Sequence, residues 1–313
     1  MPPAFEKFDK DEELKRRLHG LPRLWFNPLR RYSRSQSISS DGMDGAFVAR
    51  TQDGRVERVR YATQADTKAL LLAEYDALLK ASHEYLVKLC WAGLREQRLY
   101  VATSWIDVKK REDWPIPIRT LLGQMECAAR GVAALHAKGL VHGDLKPETI
   151  LWDGDRAVVA DLKLAAPAGR RGHGSYSPKF AAPEQILAET VGPEADVYAV
   201  GVTLYTRFIR ERFPTLLKTE EQAGGHGNTE VLSSVTSLPA ASEAASDRGE
   251  GRIVGAKVVF RSRLSRVVEG SADANLISSV LTIVQRACEL DPKKRYPDAG
   301  ALADALREVR ARA

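Results

Sequence analysis

The chain has 313 residues, with 47 Lys+Arg against 41 Asp+Glu and a mild net charge of +6. A 44% hydrophobic and 28% charged composition is that of an ordinary globular protein, long enough for a two-lobed catalytic domain or two small domains. No apolar run approaches the length of a membrane-crossing helix, and the polar N-terminus lacks the apolar centre of a signal peptide. Cys90, Cys127 and Cys288 are odd in number, far apart and outside any C-x-x-C pattern. They argue against a disulfide framework or structural zinc and point to a reducing compartment, with the cytoplasm as the default.

In chain order, residues 1–37 read as a basic extension: a charged helix over Glu6 to Leu18, then Gly20, Pro22 and a Ser/Arg-rich stretch from Arg31 to Ser40. Lys15, Arg16, Arg17, Arg23, Arg30, Arg31 and Arg34 could face nucleic acid, anionic lipid or an acidic partner. Without a recognised nucleic-acid motif, a solvated extension is the preferred reading. Two short strands, Ala46–Ala49 and Val56–Tyr61, surround the turn Gln52-Asp53-Gly54. A helix follows over Asp66 to Lys80, with Leu70, Leu71, Leu78 and Leu79 near one face. Two further strands fit Leu86–Leu89 and Leu99–Ala102. Beyond them the chain is mainly helical: an amphipathic helix over Leu121 to Lys138, a nearly all-apolar one over Ala195 to Ile209, and two more at 276–290 and 298–312. Thr219 to Arg252 is rich in Gly, Ser, Ala and Glu with little periodicity and reads as a mobile insertion.

The segment Leu140-Val141-His142-Gly143-Asp144-Leu145-Lys146-Pro147-Glu148-Thr149-Ile150-Leu151 sets a carboxylate and an ammonium two residues apart between apolar runs. Phosphoryl transfer to a hydroxyl needs such a pair, a base for the nucleophile and a cation for the phosphate. The segment resembles the H-R-D-L-K-P-x-N catalytic loop of eukaryotic-type (Hanks-type) Ser/Thr protein kinases, with Gly143 for the arginine and Thr149 for the asparagine.

Further motifs of that family follow in the expected order over about residues 38–310. Ser40 to Phe47 resembles the glycine-rich loop through Gly42 and Gly45, although two glycines three apart also suit a plain hairpin turn. Glu74 matches the glutamate of the small-lobe helix. Its usual lysine partner is missing, and Arg58 and Arg60 stand on the preceding strand, 16 (74 − 58) and 14 (74 − 60) residues earlier. Spacing from the helix and from the turn favour different ones, so both remain candidates. Thr103, Ser104 and Ile106 match the hinge, with Thr103 as gatekeeper. Asp161-Leu162-Lys163 stands where D-F-G is expected. Lys163 would stiffen a backbone that must turn sharply, and a solvent-facing side chain is its preferred reading. Ser177-Pro178-Lys179-Phe180-Ala181-Ala182-Pro183-Glu184 resembles the docking loop and A-P-E motif.

The resemblance implies an α+β, bilobal fold: a small antiparallel-sheet lobe with one helix and hinge (38–106), and a larger helical lobe (107–313) carrying the insertion at about 219–252. It implies Asp144 as base and Lys146 as phosphate-facing cation. ATP would be held by the glycine loop, an arginine, Glu74 and the hinge, and Mg²⁺ or Mn²⁺ by Asp161 and Thr149. Ser177 would dock substrate, with Glu184, Asp196, Arg295 and His142 holding the fold. Gly143 removes the arginine that pairs with a phosphorylated activation loop in many relatives, so activity is expected not to need phosphorylation of Gly172 to Ser177. Three functions follow, in order of preference: a Ser/Thr kinase of proteins with a non-standard nucleotide site, a pseudokinase scaffold, and a small-molecule phosphotransferase suggested by His142-Gly143-Asp144.

Overall fold

The computed structural model describes residues 16–17, 20–21, 32–38, 43–107, 116–172, 175–209 and 274–313. Ser40, Gly42, the insertion at 219–252 and most of the helix expected over Glu6 to Leu18 lie outside the described residues. The fold is α+β. Its first part is a five-stranded antiparallel sheet made of β1 (Tyr32–Ile38), β2 (Gly45–Thr51), β3 (Val56–Ala62), β4 (Leu89–Arg95) and β5 (Arg98–Ser104), in the order β1-β2-β3-β5-β4. Helix α1 (Ala65–Lys80) links β3 to β4. The turn Gln52-Asp53-Gly54 closes the β2–β3 hairpin: Gly54 takes φ +87 and the Thr51 N–H donates to Arg55 O at 2.8 Å.

Three local expectations shift. The edge strand β1 occupies residues that the sequence places mainly in the extension; its middle, Ser33-Arg34-Ser35-Gln36-Ser37, carries no apolar signal, and the strand is defined by its pairing with β2. No ladder forms over residues 86–88. Both Leu86 and Val87 are buried in the core below the sheet, and Val87 N–H donates to Val159 O at 2.9 Å, so β4 begins only at Leu89. On α1 the buried stripe is Leu71, Glu74 and Leu78, at i, i+3 and i+7, while Leu79 turns outward and is 59% exposed.

The larger part is helical: α2 (Ile118–His136), the short α3 (Pro183–Ile186), α4 (Pro193–Ile209), α5 (Ala274–Ala287) and α6 (Ala299–Ala311). Asp298 caps α6 by accepting from Ala301 N–H at 2.9 Å. Short strands β6 (Leu140–Val141), β7 (Ile150–Asp153), β8 (Arg156–Val159) and β9 (Ala166–Pro167) bracket the Asp144 and Asp161 segments. Residues 195–205 of α4 are buried all round, as its apolar sequence requires. One apolar cluster runs from Ala77 and Leu78 of α1, through Leu162, into α2, α4, α5 and α6. The extension also touches the small lobe. Leu21 is buried against Leu71 and Leu72 of α1, and Arg17 pairs with Asp76. Among the described residues no helix is long and apolar enough to cross a membrane.

Candidate active site

The loop between β6 and β7 is fixed from below. Asp196 of α4 accepts from His142 N–H at 2.7 Å and Gly143 N–H at 3.0 Å, so one buried carboxylate satisfies two loop amides. The His142 ring lies against the same loop: Asp144 N–H donates to Nδ1 at 3.3 Å, which places the ring proton on Nε2, 3.1 Å from Ala160 O. Thr149 is buried with its hydroxyl turned onto the loop, accepting from Lys146 N–H at 3.0 Å and lying 3.3 and 3.1 Å from the carbonyls of Asp144 and Lys146.

On this base Lys146 Nζ donates to Asp144 Oδ2 and to Ser177 Oγ, each at 2.8 Å. One ammonium thus ties the candidate base to the docking loop. The other carboxylate oxygen, Asp144 Oδ1, is buried and has no hydrogen-bond partner among the described residues. A carboxylate oxygen left this way is costly unless something is meant to meet it.

Arg60, rather than Arg58, reaches Glu74. Its side chain is 1% exposed, and the two terminal nitrogens divide their work: Nη2 pairs with Glu74, and Nη1 donates to Asp161 Oδ1 at 3.2 Å. The planar fork allows one side chain to hold both carboxylates. Burial alone would lower the Arg60 pKa, but the Glu74 and Asp161 charges outweigh it and raise it. Arg58, two residues earlier on β3 and opposite Thr103 of β5, lines the cleft.

Asp161 makes the sharp turn itself, in the left-handed region at φ 63, and the chain continues as a short 3₁₀ turn, Leu162–Leu164. Aspartate tolerates that region better than most residues. Lys163 therefore needs no unusual backbone angle, and the stiffness expected of it there does not arise. Nor does it face solvent: its Nζ donates to Asp161 Oδ2 at 2.8 Å with the side chain 17% exposed. Burial would raise the Asp161 pKa, yet Arg60 and Lys163 together hold it below the usual carboxylate range.

Between the lobes lies a cleft of about 210 Å³. Of the residues singled out for nucleotide contact, Arg58, Glu74, Thr103, Ser104 and Ile106 line it, joined by Asp161. Gly45 does not line it. A Cβ at Gly45 would strike the ring of Tyr61, its register partner on β3, which is reason enough for glycine there. Ile38, Val87, Trp105, Glu148, Leu151 and Ala160 also face the cleft. Of these, Glu148 and Leu151 fall within the loop signature and are open to sequence reading; Ile38 depends on the strand that the sequence hides. Glu184 and Arg295 form a buried pair under the docking loop.

A protein kinase domain family model matches residues 55–305 of the chain. The chain belongs to the eukaryotic-type Ser/Thr protein kinase family. It is 34% identical over 148 residues to a probable serine/threonine-protein kinase, PBL4, of Arabidopsis thaliana, covering 42% of this chain and 36% of that protein. With the serine/threonine-protein kinase PknL of Mycobacterium tuberculosis it shares 32% identity over 141 residues, 43% of this chain and 33% of the relative. A probable serine/threonine-protein kinase of Dictyostelium discoideum is 29% identical over 154 residues, 44% of this chain and 32% of that protein. The alignments thus span about a third of the length of these curated relatives.

Kinases of this family use ATP and a divalent metal in general, and act on protein substrates. The donor set here fits a divalent ion poorly. Both oxygens of Asp161 are engaged by cations, and the Thr149 hydroxyl is committed to the loop backbone. The departure at Gly143 also has a local cause. Gly143 takes φ +78, donates to Asp196 and accepts from Gln185 Nε2 at 2.8 Å, and a side chain there would be strained.

Proposed function

We propose that this kinase domain transfers the γ-phosphoryl group of ATP to a serine or threonine hydroxyl of a protein. The observation that carries the reading is the Asp144–Lys146–Ser177 chain, with Asp144 Oδ1 buried and uncommitted. The incoming hydroxyl gives its proton to Asp144 Oδ1 as its oxygen bonds to phosphorus and the bond to the leaving diphosphate breaks. Lys146 offsets charge on the transferred group, while Ser177 holds the ammonium toward the docking loop. The Arg60–Glu74 pair supports the same reading, because this ion pair must be in place for the phosphates to be positioned. Arg58, Thr103, Ser104 and Ile106 form walls of the nucleotide cleft, and phosphorylation within Gly172 to Ser177 is not needed, since Gly143 offers no cation to receive it. The three free cysteines suit a reducing cytoplasm.

A second reading, the pseudokinase, draws on the two cations that occupy Asp161 and on an arginine in a small cleft. The deciding experiment is transfer of labelled γ-phosphate from ATP to generic Ser/Thr substrates, with Mg²⁺, with Mn²⁺ and with chelator, beside Asp144→Asn. Transfer lost in the variant supports the kinase. No transfer from folded wild-type protein in any condition favours the scaffold. Phosphatase treatment that abolishes transfer would overturn independence from loop phosphorylation.

A further inference from the structure

Asp144 is the candidate base, and the chain holds it from both sides. Two residues after it, Lys146 Nζ donates to Ser177 Oγ of the docking loop at 2.8 Å. One residue before it, Gly143 O accepts from Gln185 Nε2 at 2.8 Å. Gln185 belongs to α3, the short helix that follows the docking loop, and is only 7% exposed. Its Oε1 accepts from Ala182 N–H at 3.0 Å, so one side-chain amide bridges the catalytic loop and the docking segment. A carbonyl can only accept and a backbone N–H can only donate, which leaves that amide a single orientation. The same residue meets a third segment. A Cβ on Gly172 would lie 2.7 Å from Gln185 O, so Gly172 packs directly on the Gln185 backbone.

Glycine at 143 gives this bridge its importance, because glycine leaves the peptide plane between residues 143 and 144 freer to rotate than any other residue would. Here the plane is pinned at both edges, its oxygen by Gln185 and its N–H by His142 Nδ1 at 3.3 Å. A planar unit held at two points fixes the direction in which Asp144 leaves the backbone. We infer that Gln185 is a positioning residue for phosphoryl transfer: through the Gly143 carbonyl it aims Asp144 at the hydroxyl that the docking loop presents. Both of its hydrogen bonds join neutral groups, so the clamp forms without any charge on the segment Gly172 to Ser177. This rests on the phosphoryl-transfer reading above.

The test is steady-state transfer of labelled γ-phosphate to a generic Ser/Thr peptide by the full chain. It compares wild type, Gln185→Met, Gln185→Glu and each of these combined with Asp144→Asn. Methionine keeps the length and removes both bonds; glutamate can still accept from Ala182 N–H but sets a carboxylate oxygen against the Gly143 carbonyl. Each is expected to lower kcat about tenfold or more, with KM for the peptide within about twofold of wild type, as when an interaction is lost only in the transition state. In the Asp144→Asn background the same changes should cost less than about twofold, since the group they aim is already gone. Thermal melts set the assay temperature below the lowest transition, and a loss of folded protein would lower both backgrounds alike. Loss of equal size in both backgrounds, loss confined to KM, or wild-type kcat in the variants overturns the inference and leaves the kinase reading standing. No transfer by folded wild type overturns both.

Discussion

Arg295 holds Glu184 at two points, Nη1 to Oε1 at 2.7 Å and Nη2 to Oε2 at 2.9 Å, across 111 residues of sequence. Its remaining donors are also spent: Nε on Glu289 O at 2.7 Å, Nη1 on Glu194 O at 2.9 Å and Nη2 on Leu290 O at 3.2 Å. One guanidinium therefore binds the docking loop, the start of α4 and the end of the α5 segment. Substituting Glu184→Ala or Arg295→Met should each destabilise the domain by about 3–5 kcal/mol, because each leaves an uncompensated buried charge. Denaturant unfolding of both single variants and the double variant checks this. The double variant should lose less than the sum of the two.

A second expectation concerns acid. Burial alone would raise the pKa of Asp196, but the hydrogen bond from His136, the neighbouring His136 and His142 imidazoles and the Gly143 amide bring it below its ordinary 3.8. Ala299 N–H donates to His136 Nδ1 at 3.1 Å, so the ring proton lies on Nε2, 3.0 Å from Asp196. A carboxylate depressed in the folded state contributes stability that is complete above its unfolded value and is lost as pH falls through the folded one. Stability should thus decline as pH drops below 3.8. Asp196→Asn should cost about 1.5–3 kcal/mol at neutral pH and flatten that decline, as followed by urea unfolding across pH.

For the chemistry, Asp144→Asn should lower the rate of γ-phosphate transfer by about 10²–10⁴-fold, the usual range for a lost general base. Its melting temperature should stay near that of wild type, because Asn can still accept from Lys146. Ser177→Ala should lower transfer less than Asp144→Asn, and Ser177→Thr should restore it, since only the hydroxyl that accepts from Lys146 is required. Single-turnover rates and melts separate these outcomes.

Helix packing supplies a fourth. A Cβ on Gly201 of α4 would press into the side chains of Ala287 and Cys288 at the end of α5. Gly201→Ala should destabilise the domain by about 1–3 kcal/mol through overpacking, despite the better helix propensity of alanine. Thermal unfolding measures the balance of the two effects.

The larger lobe is legible in the sequence because its signals are local. Buried helices show as apolar periodicity, and the loop from Leu140 to Leu151 carries its chemistry in consecutive residues. The edge strand β1 is hidden because its middle residues, Ser33 to Ser37, are all polar, and its pairing with β2 defines it. The choice between Arg58 and Arg60 cannot be made from spacing, since both project to the same side of β3; it depends on where α1 packs. The orientation of Lys163 is hidden for a similar reason. Whether a lysine two residues past an aspartate faces water or that aspartate depends on backbone angles, and here the left-handed turn at Asp161 decides it.

The shared core reaches further than packing. Leu78 of α1 and Leu162 below it belong to the same apolar cluster as the helices of the large lobe. Swinging α1 outward would put both into water at about 1.5–3 kcal/mol for each fully exposed side chain, and would break the Arg60–Glu74 pair in the same motion. In the described conformation the Arg60–Glu74 pair is formed and the cleft is assembled, so any motion that opens this end of the molecule must first separate α1 from the interior of the larger lobe.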